Sequence, residues 1–474
     1  MSFYIPETLE LDSFLKDNPP ISIQKFKLEN LLYIIDLIYR IPVNNKSIME
    51  DCDFIPINSA ILQKHIRNYR QYLDYLLDNG ILISDNQFIK GKKSKGYKFT
   101  RFYDVKAKIF NKDKQLTLNP CLIKRNRPLI KGYEHLSKWY NENLQIHDSL
   151  AMAFIECDFR KKVEQIDRIK DHENLSKALR QYNTSQIAIE KIRTFEFNLT
   201  VDKNVSRFHS VITNLKSELR NFLLYNNTTL NSIDICNSQP YLATLVMKEA
   251  FWCSDIVFNS LIRSNLIKNV FKSRIEFDSF IMLCKSLQKA EYSDIALYTE
   301  LVKSGELYQY LKKEFINSGL LSLNVDKKEV KKIIFQTFFT DNRFLNQREA
   351  LYKRKFVDLF PHTYQILAKL KAKNKANLPV LLQRIESELV LKRIGKAVAQ
   401  INPEAPIITI HDSICTDEIN QKLVIDNVES ALISIVGIKP QLKIERWTPE
   451  NAYASEVSVT PGHQVGLGSL EIAA

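Results

Sequence analysis

Asp234 and Asp412 each close a short, mostly β-branched run, Ile-Asp-Ile-Cys-Asn-Ser-Gln-Pro around the first and Ile-Thr-Ile-His-Asp-Ser-Ile around the second. A strand end holds a carboxylate rigidly, and two such carboxylates brought together can share hard divalent cations through their oxygens. Cations held in that way activate a 3′-hydroxyl and keep a triphosphate in line for attack, which is the chemistry of nucleotidyl transfer. A His-Asp pair such as His411-Asp412 also suits a hydrolase dyad, but the chain has no Gly-x-Ser-x-Gly elbow to complete one.

The surrounding pattern states what must position these acids. Residues 407–410 and 413–416 read as two short strands of a hairpin that lifts Asp412 to its tip. A helix is predicted directly after Asp234, over 241–250, with Ser238 as its cap and Pro240 in its first turn. Lys327, Lys331, Phe335 and Phe339 recur every four residues, so they share one face of a helix predicted over 326–340. A helix over 381–399, another over 424–436 and a strand over 441–447 complete this half of the chain.

Near the N-terminus, residues 22–103 read as one unit. A helix over 25–40 leads to a short helix that Asn58 or Ser59 can cap, then to a helix over 67–79 stopped by Gly80. Strands at 81–83, 87–90 and 97–99 follow, with a lysine-rich loop between the last two. Arg67, Asn68, Arg70 and Gln71 cluster at the start of the second of these helices, where they can enter a major groove. Lys90, Lys92, Lys93, Lys95 and Lys98 would line the loop and touch phosphates. This order resembles a winged helix-turn-helix domain, a module that binds DNA or other proteins. Residues 104–202 are charged and periodic, with helical runs at 136–143 and 174–192, and fit either a helical connector or a packing layer. Residues 449–474 have too little periodicity to be assigned structure and read as a disordered tail.

Lys and Arg outnumber Asp and Glu by 67 to 54, for a net charge of +13 over 474 residues. That balance favours a polyanionic partner, though an ordinary basic surface has it too. Seven cysteines, widely spread and without a CxxC pair, read as reduced core residues in a cytoplasmic protein. The absence of a leader pattern and of a long uncharged apolar run argues against secretion and against a membrane span.

Taken jointly, the motifs between 203 and 448 resemble family A DNA polymerases and the related single-subunit phage RNA polymerases. Arg207 and Asn214-Leu215 match the segment before motif A, Asp234 matches motif A, the Lys327 to Phe339 stripe matches motif B, and His411-Asp412-Ser413 matches motif C. The resemblance implies an α+β, mainly helical right-hand core with a small antiparallel palm sheet, helical fingers over about 250–400 and a short thumb before Arg207. It implies Mg2+, or Mn2+, on Asp234 and Asp412. It places Lys327 and Lys331 on the triphosphate, Phe335 and Phe339 at the nucleotide pocket, and Gln239 beside the sugar. Arg207, Asn214, Arg220, Gln383 and His411 would meet the primer-template. Three departures stand out: Gln239 replaces the family's Glu, Gln336 and Thr340 replace glycines, and Ser413 matches the RNA enzymes. The expectation is a DNA-directed DNA polymerase without proofreading, suited to a mobile element and using DNA and nucleoside triphosphates. An RNA polymerase or primase-like enzyme is the near alternative, and a DNA-binding initiator or regulator without turnover is the distant one.

Overall fold

Helices dominate the chain and its strands gather into small antiparallel sheets, the α+β architecture expected. The computed structural model describes residues 3–45, 48, 53–91, 93–110, 129–166, 171–289, 293–325 and 327–457. Strand β1 (Phe3–Pro6) pairs with β5 (Ala107–Phe110), so the N-terminal unit closes over a longer stretch than residues 22–103. Helix α1 (Leu28–Asn44) buries Leu31, Leu32, Ile34, Ile35 and Ile38. Its buried Asp36 accepts the Tyr4 backbone N–H at 2.8 Å and pairs with Arg40, which pins β1 to the helix.

Between β2 (Ile55–Pro56) and the next strand lie α2 (Ser59–His65) and α3 (Tyr69–Asp78). Asn58 caps α2 by accepting from the Ala60 and Ile61 backbone N–H groups, and Gly80 ends α3 in the left-handed region at φ 66°. A three-stranded sheet then forms in the order β2, β4 (Gly96–Phe99), β3 (Leu82–Ser84). The expected strand at 87–90 contributes only an Ile89–Lys93 bridge, and β3 pairs with 96–99 instead. Asp85 accounts for this: its carboxylate accepts from the Gln87 and Gly96 backbone N–H groups and folds the intervening loop back on itself.

Helices α4 (Asp148–Glu164) and α5 (His172–Arg193) pack together, and α5 also packs along α1. Buried Asn183 on α5 accepts from Ala107 N–H at 2.9 Å and donates to the Val105 carbonyl at 3.0 Å, joining this layer to the N-terminal unit. The helix expected over 136–143 is a single turn, Glu134–Ser137, because Asn141 turns back to accept from Asn143 N–H. The chain continues as β6 (Leu144–Ile146), which pairs with β7 (Leu223–Tyr225).

The central sheet has the order β9 (Ile408–Ile410), β10 (Ser413–Thr416), β8 (Asn231–Ile235), β11 (Leu442–Arg446), all antiparallel. β8 is buried because neighbours flank it on both sides, whereas edge strand β11 is exposed and carries Lys443 and Glu445, charges that discourage further strand pairing. Helix α6 (Ser238–Val246) follows β8. Asn237, not Ser238, holds its cap position, in the left-handed region at φ 52° and without a side-chain cap bond. The helical region beyond includes α7 (Lys327–Phe339), α8 (Leu351–Leu359), α9 (Pro361–Lys371) and α10 (Asn377–Ser387). The helix predicted over 381–399 is not uniform: a π-helical stretch, Glu388–Ile394, separates α10 from α11 (Gly395–Ile401). After α12 (Gln421–Val436) and β11, residues 449–457, expected to be disordered, form α13 (Pro449–Val457), while 458–474 lie outside the described residues.

Candidate active site

Ser413 is the cross-strand neighbour of Asp234 on one side of β8, and it also faces Ile410 across the β9–β10 hairpin. His411 and Asp412 therefore form the two-residue loop of that hairpin, and Asp412 lies one residue from the position opposite Asp234. Directly opposed residues have Cβ atoms about 5 Å apart, so this register brings the two acids to one end of the sheet. Three residues next to this end hold left-handed backbone: Ser206 at φ 58°, Asn237 at φ 52° and His411 at φ 57°. Such conformations are uncommon outside glycine, are adopted more readily by Asn and His than by Ser, and persist where surrounding structure imposes them.

The electrostatics match a site short of positive charge. Burial pushes the Asp234 carboxyl up to about 7, and the nearby Asp412 charge adds to the rise, against the pull of Lys331 and Lys443. Asp412 is also raised by burial, and Lys331, the Ser238 hydroxyl and Arg207 hold it down. A third acid, Glu386, is buried and pushed up to about 7, first by burial and then by Asp412. Arg207 donates to Glu386 Oε1 at 2.7 Å, and the Gln239 amide donates to its other oxygen. Burial raises Tyr308 as well, with Asp412 a second cause, which places that phenol beside the same carboxylates.

The structure thus gathers Asp234, Asp412, Arg207, Gln239 and the charge of Lys331 around one point, with two further members: Glu386, whose helix resembles the segment before motif C but which had no role assigned from sequence, and Tyr308, which no sequence motif marks. Glu386 lies on the helix singled out for Gln383, one turn further on, while Gln383 makes none of the described contacts with the acids. Arg220 packs under the sheet, where burial lowers its pKa and Cys415, Glu218 and Asp234 oppose that fall. Asn214 points elsewhere, donating at 3.5 Å to the Asn44 carbonyl at the end of α1. On α7, Lys331 lies 5.7 Å over the Phe335 ring, and Phe335 and Phe339 stand 5.5 Å apart. Those two rings line a groove of about 880 Å³ with Lys332, Arg343, Lys375 and Pro379. Lys327 opens α7, and its side chain is outside the described set.

In the N-terminal unit, Arg67 and Arg70 are exposed as expected, Arg70 donating to the Tyr69 hydroxyl at 3.4 Å. Asn68 and Gln71 instead bind each other and the Gln24 backbone, so they fasten a loop to α3. Lys93 pairs with Asp85 at 3.1 Å, Lys98 pairs with Asp53, and Lys95 lies over the Tyr97 ring at 5.7 Å. Lys92 lies outside the described residues.

Two half-buried carboxyls, both raised by burial and the first raised further by the charge of the second, present the electrostatic deficit a divalent cation removes, and their hard oxygens suit Mg2+ or Mn2+. Among the described residues no group of three or more His, Cys, Asp or Glu side chains forms a ready-made metal cage. The pair fits the magnesium habit of binding one or two carboxylates and completing its shell with substrate oxygens and water. No disulfide joins the described cysteines, and no described helix is long and apolar enough to cross a membrane.

Neither a protein-family model nor a curated protein matches the chain. Among solved structures, the POL domain of Pol1 from M. smegmatis, in complex with DNA primer-template and dNTP, is similar at 8% identity and a TM-score of 0.42, covering 69% of this chain and 70% of that one.

Proposed function

We propose that the chain is a template-directed nucleotidyltransferase, a DNA-directed DNA polymerase without proofreading. The observation that carries the reading is the meeting of Asp234, on its strand, with Asp412, in the adjoining hairpin loop, both carboxyls raised first by burial and both drawn down by the charge of Lys331. Asp234 and Asp412 would hold Mg2+ or Mn2+, which supplies activation of a 3′-hydroxyl and neutralisation of a triphosphate. Lys331 meets the triphosphate as a compact charge, and Lys327 is placed one turn earlier on the same helix. Phe335 and Phe339 offer flat apolar faces to a base and exclude water from it. Arg207, held by Glu386, and His411, at the hairpin tip, would meet the primer end, and Arg220 would support the sheet from beneath. The fold of α1 to α3 with its three-stranded sheet supports a winged-helix reading, in which Arg67 and Arg70 contact duplex DNA and the Lys92 to Lys95 loop is the wing.

One observation favours ribonucleotide use as a second reading. The Gln239 amide donates to Glu386, which leaves its own carbonyl oxygen buried without a protein partner. A buried acceptor of that kind is satisfied by a hydroxyl donor, such as a ribose 2′-hydroxyl, and a deoxyribose offers none there. A labelled primer-template incubated with Mg2+ and either deoxy- or ribonucleoside triphosphates tests both readings. Extension with deoxynucleotides is expected; extension with ribonucleotides alone would move the assignment to RNA synthesis, and no extension by a protein that binds the duplex would leave a non-catalytic initiator or regulator.

A further inference from the structure

The last turn of α7 ends among other helices, and its carbonyl groups must find donors there, since a helix leaves its final four C=O groups without internal partners. Thr340 stands where a glycine would let the chain turn away. Two lysines reach in from separate helices, with 1% of Lys353 and 3% of Lys371 left exposed. From α8, Lys353 Nζ donates to the Thr340 carbonyl at 3.0 Å, the Thr340 hydroxyl at 3.1 Å and the Asp341 carbonyl at 2.8 Å. From the end of α9, Lys371 Nζ donates to the Phe338 carbonyl at 2.6 Å and to the same Thr340 carbonyl at 3.3 Å. Both amines also lie over the Tyr364 ring, at 5.6 and 5.3 Å.

Lysine is almost never buried this far without an acidic partner. Here the nearest acid, Asp341, is turned to Arg343 at 3.2 Å, and the acceptors are the carbonyls that carry the negative end of the α7 dipole.

We propose that Lys353 and Lys371 are positioning residues for the nucleotide, fastening the C-terminal end of α7 to α8 and α9 and thereby fixing where Lys331, Phe335 and Phe339 stand relative to the carboxylates. This rests on the reading of α7 as the nucleotide-binding helix. Donor counting agrees with it. Burial lowers Lys371 to about 7, with the Lys353 charge a second cause, and lowers Lys353 to about 8 against the pull of Asp341. A neutral amine at Lys371 still donates to its two carbonyls, while the three acceptors around Lys353 take all three protons of an ammonium. The charged and titratable groups facing the pair are Asp341 with its partner Arg343, Tyr364 from α9, and each lysine toward the other.

The test compares wild type with Lys353→Met and Lys371→Met in three measurements: nucleotide KM and kcat in primer extension, primer-template Kd, and hydrogen exchange across residues 329–340. Each substitution is expected to raise nucleotide KM about tenfold, on the scale that small misplacements of binding groups produce. The primer-template Kd should stay within about twofold, and exchange should quicken in the last turn of α7. Unchanged KM and exchange would overturn the proposal, as would a parallel fall in kcat, duplex affinity and melting temperature, which marks a merely structural role. Lys371→Gln, which keeps two amide donors, serves in place of a Met variant that does not fold. If wild type extends no primer, the polymerase reading fails by itself, and the exchange of the α7 turn still decides the clamp.

Discussion

At the scale of single residues, Asp234 is held in its protonated form up to about pH 7, far above the 3.8 usual for such a carboxyl in an unfolded chain. A carboxyl whose folded pKa is raised favours the folded state at low pH, and that contribution is lost as pH rises from about 4 to about 7. Asp234→Asn removes the charge and its repulsion with Asp412. It should raise the melting temperature most at pH 8, less at pH 5 and hardly at all below pH 4, each kcal/mol regained being worth about 2–4 °C in a cooperative unit of 150–250 residues. An equal shift at every pH would mean that neither the burial of this charge nor its repulsion by Asp412 limits stability. Added Mg2+ should raise the melting temperature of wild type at pH 8 and do little for this variant, since only a site with both carboxylates intact gains from the cation. Asp234 and Asp412 were legible in the sequence because each sits inside a local strand pattern. Glu386 was passed over for Gln383 on the same helix, because its partner Arg207 is 179 residues away and nothing in a helical run tells which turn will face the central sheet.

At the scale of elements, β8, β10, β11, α7 and α12 follow their periodicity closely, and the two-residue hairpin places Asp412 as its flanking strands predict. Failures lie where one hydrogen bond outweighs propensity. Asp85 folds the 87–90 strand away and Asn141 stops a helix after one turn; at α6 the difference is one of backbone, left-handed Asn237 taking the cap position from Ser238 without a side-chain bond. The π-helical stretch Glu388–Ile394 is invisible in sequence because Leu389, Val390 and Leu391 are buried in succession and leave no periodic stripe. One cap was legible and can be tested: Asn58→Ala should cost α2 about 1 kcal/mol, and Asn58→Gly only a few tenths. Faster hydrogen exchange in 59–65 for the alanine variant than for wild type checks this, and exchange equal to wild type would mean the side-chain bonds contribute nothing. Lys331→Ala should raise nucleotide KM with little change in duplex affinity, separating the role of α7 from that of the N-terminal unit.

At the scale of the whole molecule, the α+β class was legible from strand and helix periods, and the N-terminal unit from its caps and its glycine stop. Its attachment was not. β1 closes on β5, and α5 packs against α1, through long-range packing that leaves no local mark. Ion pairs neutralise Lys93 and Lys98, so the exposed Arg67 and Arg70 are the sharper probes of duplex binding. Replacing both with Glu should weaken duplex affinity and lower the slope of log K against log salt by about 2, near one unit for each phosphate that is no longer neutralised. Extension at saturating primer-template should persist, and an unchanged salt slope would take α3 out of the DNA interface.

The central claim is that Asp234 and Asp412 share divalent cations, and crystals grown with Mn2+ and a non-hydrolysable nucleoside triphosphate test it most directly through anomalous scattering. The account predicts two peaks about 3.5–4 Å apart, bridged by oxygens of both carboxylates and of the triphosphate. Manganese bound elsewhere, or held by one of the two acids while the other stays protonated or paired within the protein, would contradict it.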